Sequence, residues 1–73
     1  MEKQSFKIRI NNRSAKTMIF RLEPWAEEKE LLPGEYVVVD ARGPIEEVPE
    51  IELYEEDIVF YGWTGSICEI VEA

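Results

Sequence analysis

Histidine is absent from this 73-residue chain, and cysteine occurs once. The first absence removes the commonest general base, the commonest zinc and copper ligand, and every Ser-His or Cys-His nucleophile pair. The second excludes an internal disulfide. Cys68 lies in the apolar run Ile67-Cys68-Glu69-Ile70-Val71, with no cation beside it in sequence to depress its pKa, so it reads as a small buried hydrophobe. No apolar run approaches the roughly 20 residues needed to span a bilayer. The first residues, Met-Glu-Lys-Gln-Ser-Phe-Lys, hold no stretch fit for a signal peptide, so a soluble, cytoplasmic protein is expected. Asn12-Arg13-Ser14 matches the glycosylation sequon, which without a secretory signal is a chance match. No glycine-rich phosphate loop is present. The expectation is a non-enzymatic protein without a cofactor or a bound metal.

Basic residues are scarce after position 22. Residues 1–22 hold six of them (Lys3, Lys7, Arg9, Arg13, Lys16, Arg21) against Glu2, a net of +5. Residues 23–73 hold Lys29 and Arg42 against fifteen acids, a net of −13, and the whole chain carries −8. Such a surface repels nucleic acid and anionic membrane, and it keeps a small apolar domain soluble. Glu46, Glu47, Glu50, Glu52, Glu55, Glu56 and Asp57 cluster, but without the alternate spacing and turn glycine of a calcium loop. Weak divalent-ion binding is the most that this cluster suggests.

What the chain does have is period-two alternation, with almost no helical spacing. In residues 5–11, Phe6, Ile8 and Ile10 point one way and Lys7 and Arg9 the other, a half-buried strand. Asn11-Asn12-Arg13-Ser14 supplies turn residues. Residues 16–23 alternate again, with Met18, Phe20 and Leu22 inward, and the two strands read as a hairpin. Residues 24–32 could open a short helix at Pro24, but a bend at Pro24-Trp25 followed by a short strand is the better reading. Pro33-Gly34 suits the centre of a type II turn. Residues 35–41 contain Tyr36-Val37-Val38-Val39, a central strand, which Arg42-Gly43-Pro44 ends. Residues 50–54 place Ile51 and Leu53 inward and Glu50 and Glu52 outward. A charged turn, Glu55-Glu56-Asp57, follows. Residues 58–63 and 66–71 read as a last hairpin around Thr64-Gly65. The expected fold is a single all-β domain spanning 1–73, an antiparallel β-sandwich of six or seven short strands, with a small β-barrel as the alternative.

The aromatics divide into two groups. Phe6, Phe20 and Phe60 fall with the inward sets and are expected in the core. Trp25, Tyr54, Tyr61 and Trp63 lie beside turns or opposite the inward sets. One reading gives them a second small core under the 24–32 loop. The other makes them an exposed aromatic patch rimmed by Glu27, Glu28 and Glu55, the usual make-up of a binding surface.

The order of a strand ending in Asn11 or Asn12, then Leu22-Glu23-Pro24-Trp25, then Pro33-Gly34-Glu35 opening an apolar strand resembles a small bacterial family of uncharacterised, stand-alone β-domains. The likeness covers roughly the first 40 positions, and members often carry glycine where this chain has Ala26. It implies a β-sandwich and no particular activity. The same order is similar to the cupredoxin topology, whose copper ligands are two histidines and a cysteine. With no histidine here, any such kinship is one of fold.

The expected function is therefore a protein-interaction or accessory module, with Trp25, Glu27, Glu28, Tyr61 and Trp63 as its protein-binding residues. Two alternatives stand beside it. One is an acidic inhibitor or immunity-type protein covering a basic site on a nuclease or toxin, since a strongly acidic segment steers fast association. The other is a self-associating structural domain, a homodimer through open sheet edges. Lys7 and Arg9 on one strand complement Glu50 and Glu52 on another, and Trp63, Tyr61 and Val37 are its apolar candidates.

Overall fold

The alternating segments form seven strands in the computed structural model, which describes residues 2–72. They are β1 (Lys3–Asn11), β2 (Met18–Glu23), β3 (Glu27–Leu31), β4 (Tyr36–Pro44), β5 (Glu50–Leu53), β6 (Asp57–Tyr61) and β7 (Ile67–Glu72). No helix occurs among the described residues, so none is long and apolar enough to cross a membrane. The strands make two sheets, ordered β1-β4-β7 and β3-β2-β6-β5, and neither closes into a barrel.

Strand pairing departs from the expected hairpins. β1 pairs with β4 along its whole length, from Lys3 opposite Pro44 to Asn11 opposite Tyr36. β2 pairs instead with β3, so residues 12–17 carry the chain from one sheet to the other. The cause is Asn12, which is not an open-turn residue but is buried. Its Nδ2 donates to the Lys16 and Leu31 carbonyls at 2.9 and 2.8 Å, and its Oδ1 accepts from the Ser14 amide and hydroxyl. A fully occupied side chain of this kind is also closed to glycosylation. β6 and β7 likewise belong to different sheets. The Thr64-Gly65 turn forms as its residues dictate, with the Ser66 amide donating to the Trp63 carbonyl and Gly65 at φ 82°, but it crosses between layers. One pairing, β2 with β6, is parallel, so the four-stranded sheet is mixed and the expectation of purely antiparallel sheets fails.

The inner faces of the two sheets share one core. Phe20, Leu22 and Phe60 from the four-stranded sheet meet Val37, Val39, Ala41 and Cys68 from the three-stranded one, with Leu31 at the edge. Fully burying a side chain such as Phe or Leu stabilises by about 1.5–3 kcal/mol. Burial also pushes the Cys68 thiol pKa up, as an inert structural cysteine requires. β4 runs through Arg42-Gly43 to Pro44, so those residues, expected to end the strand, belong to it. Gly43 is needed there because a Cβ would sit 2.8 Å from the Ser66 Cα. Beside it, the Trp63 indole donates to the Pro44 carbonyl at 2.7 Å and stacks on Phe6, with ring planes 6° apart. Trp63 is thus a core residue, and the exposed-patch reading is wrong for it.

The Pro33-Gly34 turn forms as expected, closed by the Glu35 amide on the Leu32 carbonyl at 2.9 Å, with Gly34 at φ 88°. β3 also occupies the expected place after the Pro24-Trp25 bend. β5 differs. Ile51 and Leu53 stand opposite Phe60 and Ile58 and so face the core side, yet they are 43% and 76% exposed. The facing sheet has one strand fewer, and among the described residues none buries them.

Candidate functional site: the outer face of the four-stranded sheet

Because Met18, Phe20 and Leu22 point inward, Ile19, Arg21 and Glu23 must point outward from β2. Register then assigns their neighbours, since directly opposite residues share a face. Glu30 and Glu28 stand opposite Ile19 and Arg21 on β3. Asp57, Val59 and Tyr61 stand beside Ile19, Arg21 and Glu23 on β6. Glu52 and Glu50 stand opposite Val59 and Tyr61 on β5. One continuous face therefore gathers six carboxylates, from Glu23, Glu28, Glu30, Glu50, Glu52 and Asp57, against the single cation of Arg21.

Arg21 sits mid-face and binds two of them. Its Nη1 contacts the Glu28 carboxylate, and its Nε lies 3.7 Å from Asp57 Oδ2. All three side chains are about a third or more exposed, so each pair supplies only about 0–1 kcal/mol. Their larger effect is to fix where charge is neutralised, and among the described residues no ion pair forms at Glu23, Glu30, Glu50 or Glu52. Val59 lies in this face, outside the core cluster, and is nonetheless buried. The stems of long charged neighbours are well suited to cover such a residue.

Aromatic groups border the acidic face at both ends: Tyr61 and Trp25 where β6 leaves it, and Tyr54, whose amide donates to the Asp57 carbonyl at 2.8 Å, where β6 begins. Tyr61 is half-buried, and Tyr54 is exposed and donates its hydroxyl to Glu52 Oε1 at 2.5 Å. That hydrogen bond, reinforced by the charge of Glu52, pushes the Tyr54 phenol up to about 12. The Tyr61 phenol is raised as well, first by burial and then by Glu52. Trp25, 38% exposed, occupies the turn between β2 and β3. Its ring lies over Gly62, where a Cβ would come within 2.6 Å of the indole. The Gly62 amide donates to the Glu23 carbonyl at 2.8 Å, joining the ends of β2 and β6 beneath it.

Of the five residues expected to bind protein, Glu28 and Tyr61 lie on this face and Trp25 stands at its end. Glu27 is exposed but opposite Leu22, so it turns to the other side of β3. Trp63 is in the core and takes no part. Tyr54, from the expected aromatic patch, and Glu50, Glu52 and Asp57, from the acidic cluster, join the face, and Glu23 and Glu30 complete it without having been singled out. The outward setting of Glu23, Glu50 and Glu52 is readable from alternation, whereas the parallel β2–β6 pairing that unites them is not. Among the described residues no three acidic or sulfur side chains are placed to hold one metal ion. What the face offers chemically is negative potential and acceptor oxygens beside phenol and indole rings. Comparison with protein-family models, curated proteins and solved structures found no match for this chain.

Proposed function

We propose that this chain is a non-enzymatic, cytoplasmic protein-interaction module that docks the outer face of its four-stranded sheet onto a basic surface of a protein partner. The observation that carries the reading is the charge of that face, six carboxylates against Arg21. Desolvated carboxylates need cationic partners, and Tyr61 and Trp25 supply the aromatic anchors that interfaces favour. The same charge disfavours nucleic acid and anionic lipid. In this reading the two sheets close as a β-sandwich, which a 19 × 17 Å cross-section suits, since face-to-face sheets lie about 10 Å apart. Kinship with the bacterial family of the Leu-Glu-Pro-Trp and Pro-Gly-Glu pattern belongs to the same proposal. It is supported by the work those residues do, Trp25 over Gly62 and Pro33-Gly34 in a tight turn.

A second reading has the same charge behind it: an acidic inhibitor or immunity-type protein that covers a basic nuclease or toxin site, with association accelerated by its field. Capture with the immobilised chain, compared with Glu23→Lys/Glu30→Lys, tests the proposal. The partner is expected to be retained by the native face, lost on charge reversal, and released by salt. A partner held equally by both forms overturns it, and inhibition of a captured nuclease or toxin selects the second reading.

A further inference from the structure

Two free edges of this molecule complement each other. β1 ends one sheet and β5 ends the other. On the core side of β5, Ile51 and Leu53 are uncovered, and on the core side of β1, Phe6, Ile8 and Ile10 are only partly buried. On the outer side β1 carries Lys7 and Arg9, and β5 carries Glu50 and Glu52, all exposed. Asn11, at the end of β1, and Leu53, at the end of β5, line one groove of about 340 Å³ together with Met18 and Ile58. Near their other ends the Gln4 side chain donates to the Glu47 carbonyl at 3.3 Å, just before β5, so both edges lie on the same side of the molecule.

We propose that the occupant of this side is a second copy of the chain, with β1 of each copy laid against β5 of the other in a closed two-fold dimer. Side by side in one sheet, the two strands match on both faces: apolar meets apolar on the core side, and cation meets carboxylate outside. The symmetric alternatives, β1 on β1 and β5 on β5, place like charges opposite each other and are disfavoured. The paired edges satisfy backbone groups that each strand otherwise leaves open, and the two-fold operator forms both contacts at once, so assembly stops at two. Val37 and Trp63, apolar candidates for self-association in the sequence, are buried within the subunit, and Ile51 and Leu53 take that role. This contact shares Glu50 and Glu52 with the proposed docking face but leaves Glu23 and Glu30 out, so either can fail without the other.

Sedimentation equilibrium of the purified chain alone is the test, with circular dichroism confirming that every variant folds. The wild type is expected to be dimeric, and Lys7→Glu/Arg9→Glu and Glu50→Lys/Glu52→Lys each to weaken the dimer by roughly tenfold or more. An equimolar mixture of the two variants is expected to dimerise again, because reversed edges meet in one contact and native edges in the other. Leu53→Asp, at a position already exposed, is expected to be monomeric. A monomeric wild type overturns the proposal. So does a dimer indifferent to all these changes, or a mixture of folded variants that stays monomeric.

Discussion

Replacing Asn12 with alanine is expected to cost about 3 kcal/mol, a large loss for so small a domain. The side chain is 2% exposed and makes four hydrogen bonds. Each supplies about 0.5–1.5 kcal/mol net, but they do not fail alike. Ser14 and Lys16 are exposed and can turn to water, so losing their contacts is mild. The bond to the Leu31 carbonyl is buried, and leaving that oxygen without a donor costs about 1–3 kcal/mol. A 73-residue domain has roughly 4–11 kcal/mol in total, so the variant should remain folded but fragile. The matching fall in Tm is about 12–24 °C. Urea unfolding followed by tryptophan fluorescence reads the loss directly. Asn12→Asp should be worse than alanine at neutral pH, because it aims a carboxylate at the two carbonyls that the amide served. An Asn12→Ala variant within about 0.5 kcal/mol of wild type, the range of an ordinary surface change, refutes the reasoning.

Other expectations follow from single contacts. Trp63→Ala should cost about 3–5 kcal/mol as a packed core truncation, while the more exposed Trp25→Ala should cost only about 1–2 kcal/mol, both by urea unfolding. Ala26 is at φ 61°, a setting that costs an L-residue about 1–2 kcal/mol relative to glycine. Ala26→Gly should therefore stabilise by about 0.5 kcal/mol once the added freedom of the unfolded chain is offset, which calorimetry reads as a Tm higher by a few degrees. The Tyr54 phenol has a raised pKa, so its neutral form is the one the fold favours. Its contribution is complete below pH 10.0 and is lost as pH climbs through about 12. Alkaline titration of tyrosinate absorbance should show Tyr54 and Tyr61 both ionising late, and Glu52→Gln should return Tyr54 towards 10.0.

Alternation made the strands themselves legible. It specifies which face a side chain takes, and Phe20, Val39 and Phe60 all fall where it directs. It says nothing about which strand lies alongside. The Asn11–Ser14 stretch has hairpin chemistry, yet β1 finds its partner in β4, opposite Ile10 at Val37, because Asn12 is spent on a buried network instead. The turn at Thr64-Gly65 was readable, but its destination depends on the Trp63 indole reaching the Pro44 carbonyl, 19 positions away. Ile51 and Leu53 show the same limit. Their face was readable, but their exposure depends on the facing sheet having one strand fewer. The acidic site follows the pattern too, with outward carboxylates visible strand by strand and their union set by the β2–β6 pairing.

The claim that this outer face is the binding face can be tested without knowing the partner. An isotope-labelled sample titrated with a short arginine-rich peptide, at low and at high salt, reports by backbone amide shifts which surface is engaged. The account predicts shifts concentrated on β2, β3, β5 and β6 at Glu23, Glu30, Glu50, Glu52 and Tyr61, weakened by salt and abolished in Glu23→Lys/Glu30→Lys. Shifts spread evenly over the acidic surface, or centred on the loop from Ile45 to Pro49, would contradict it.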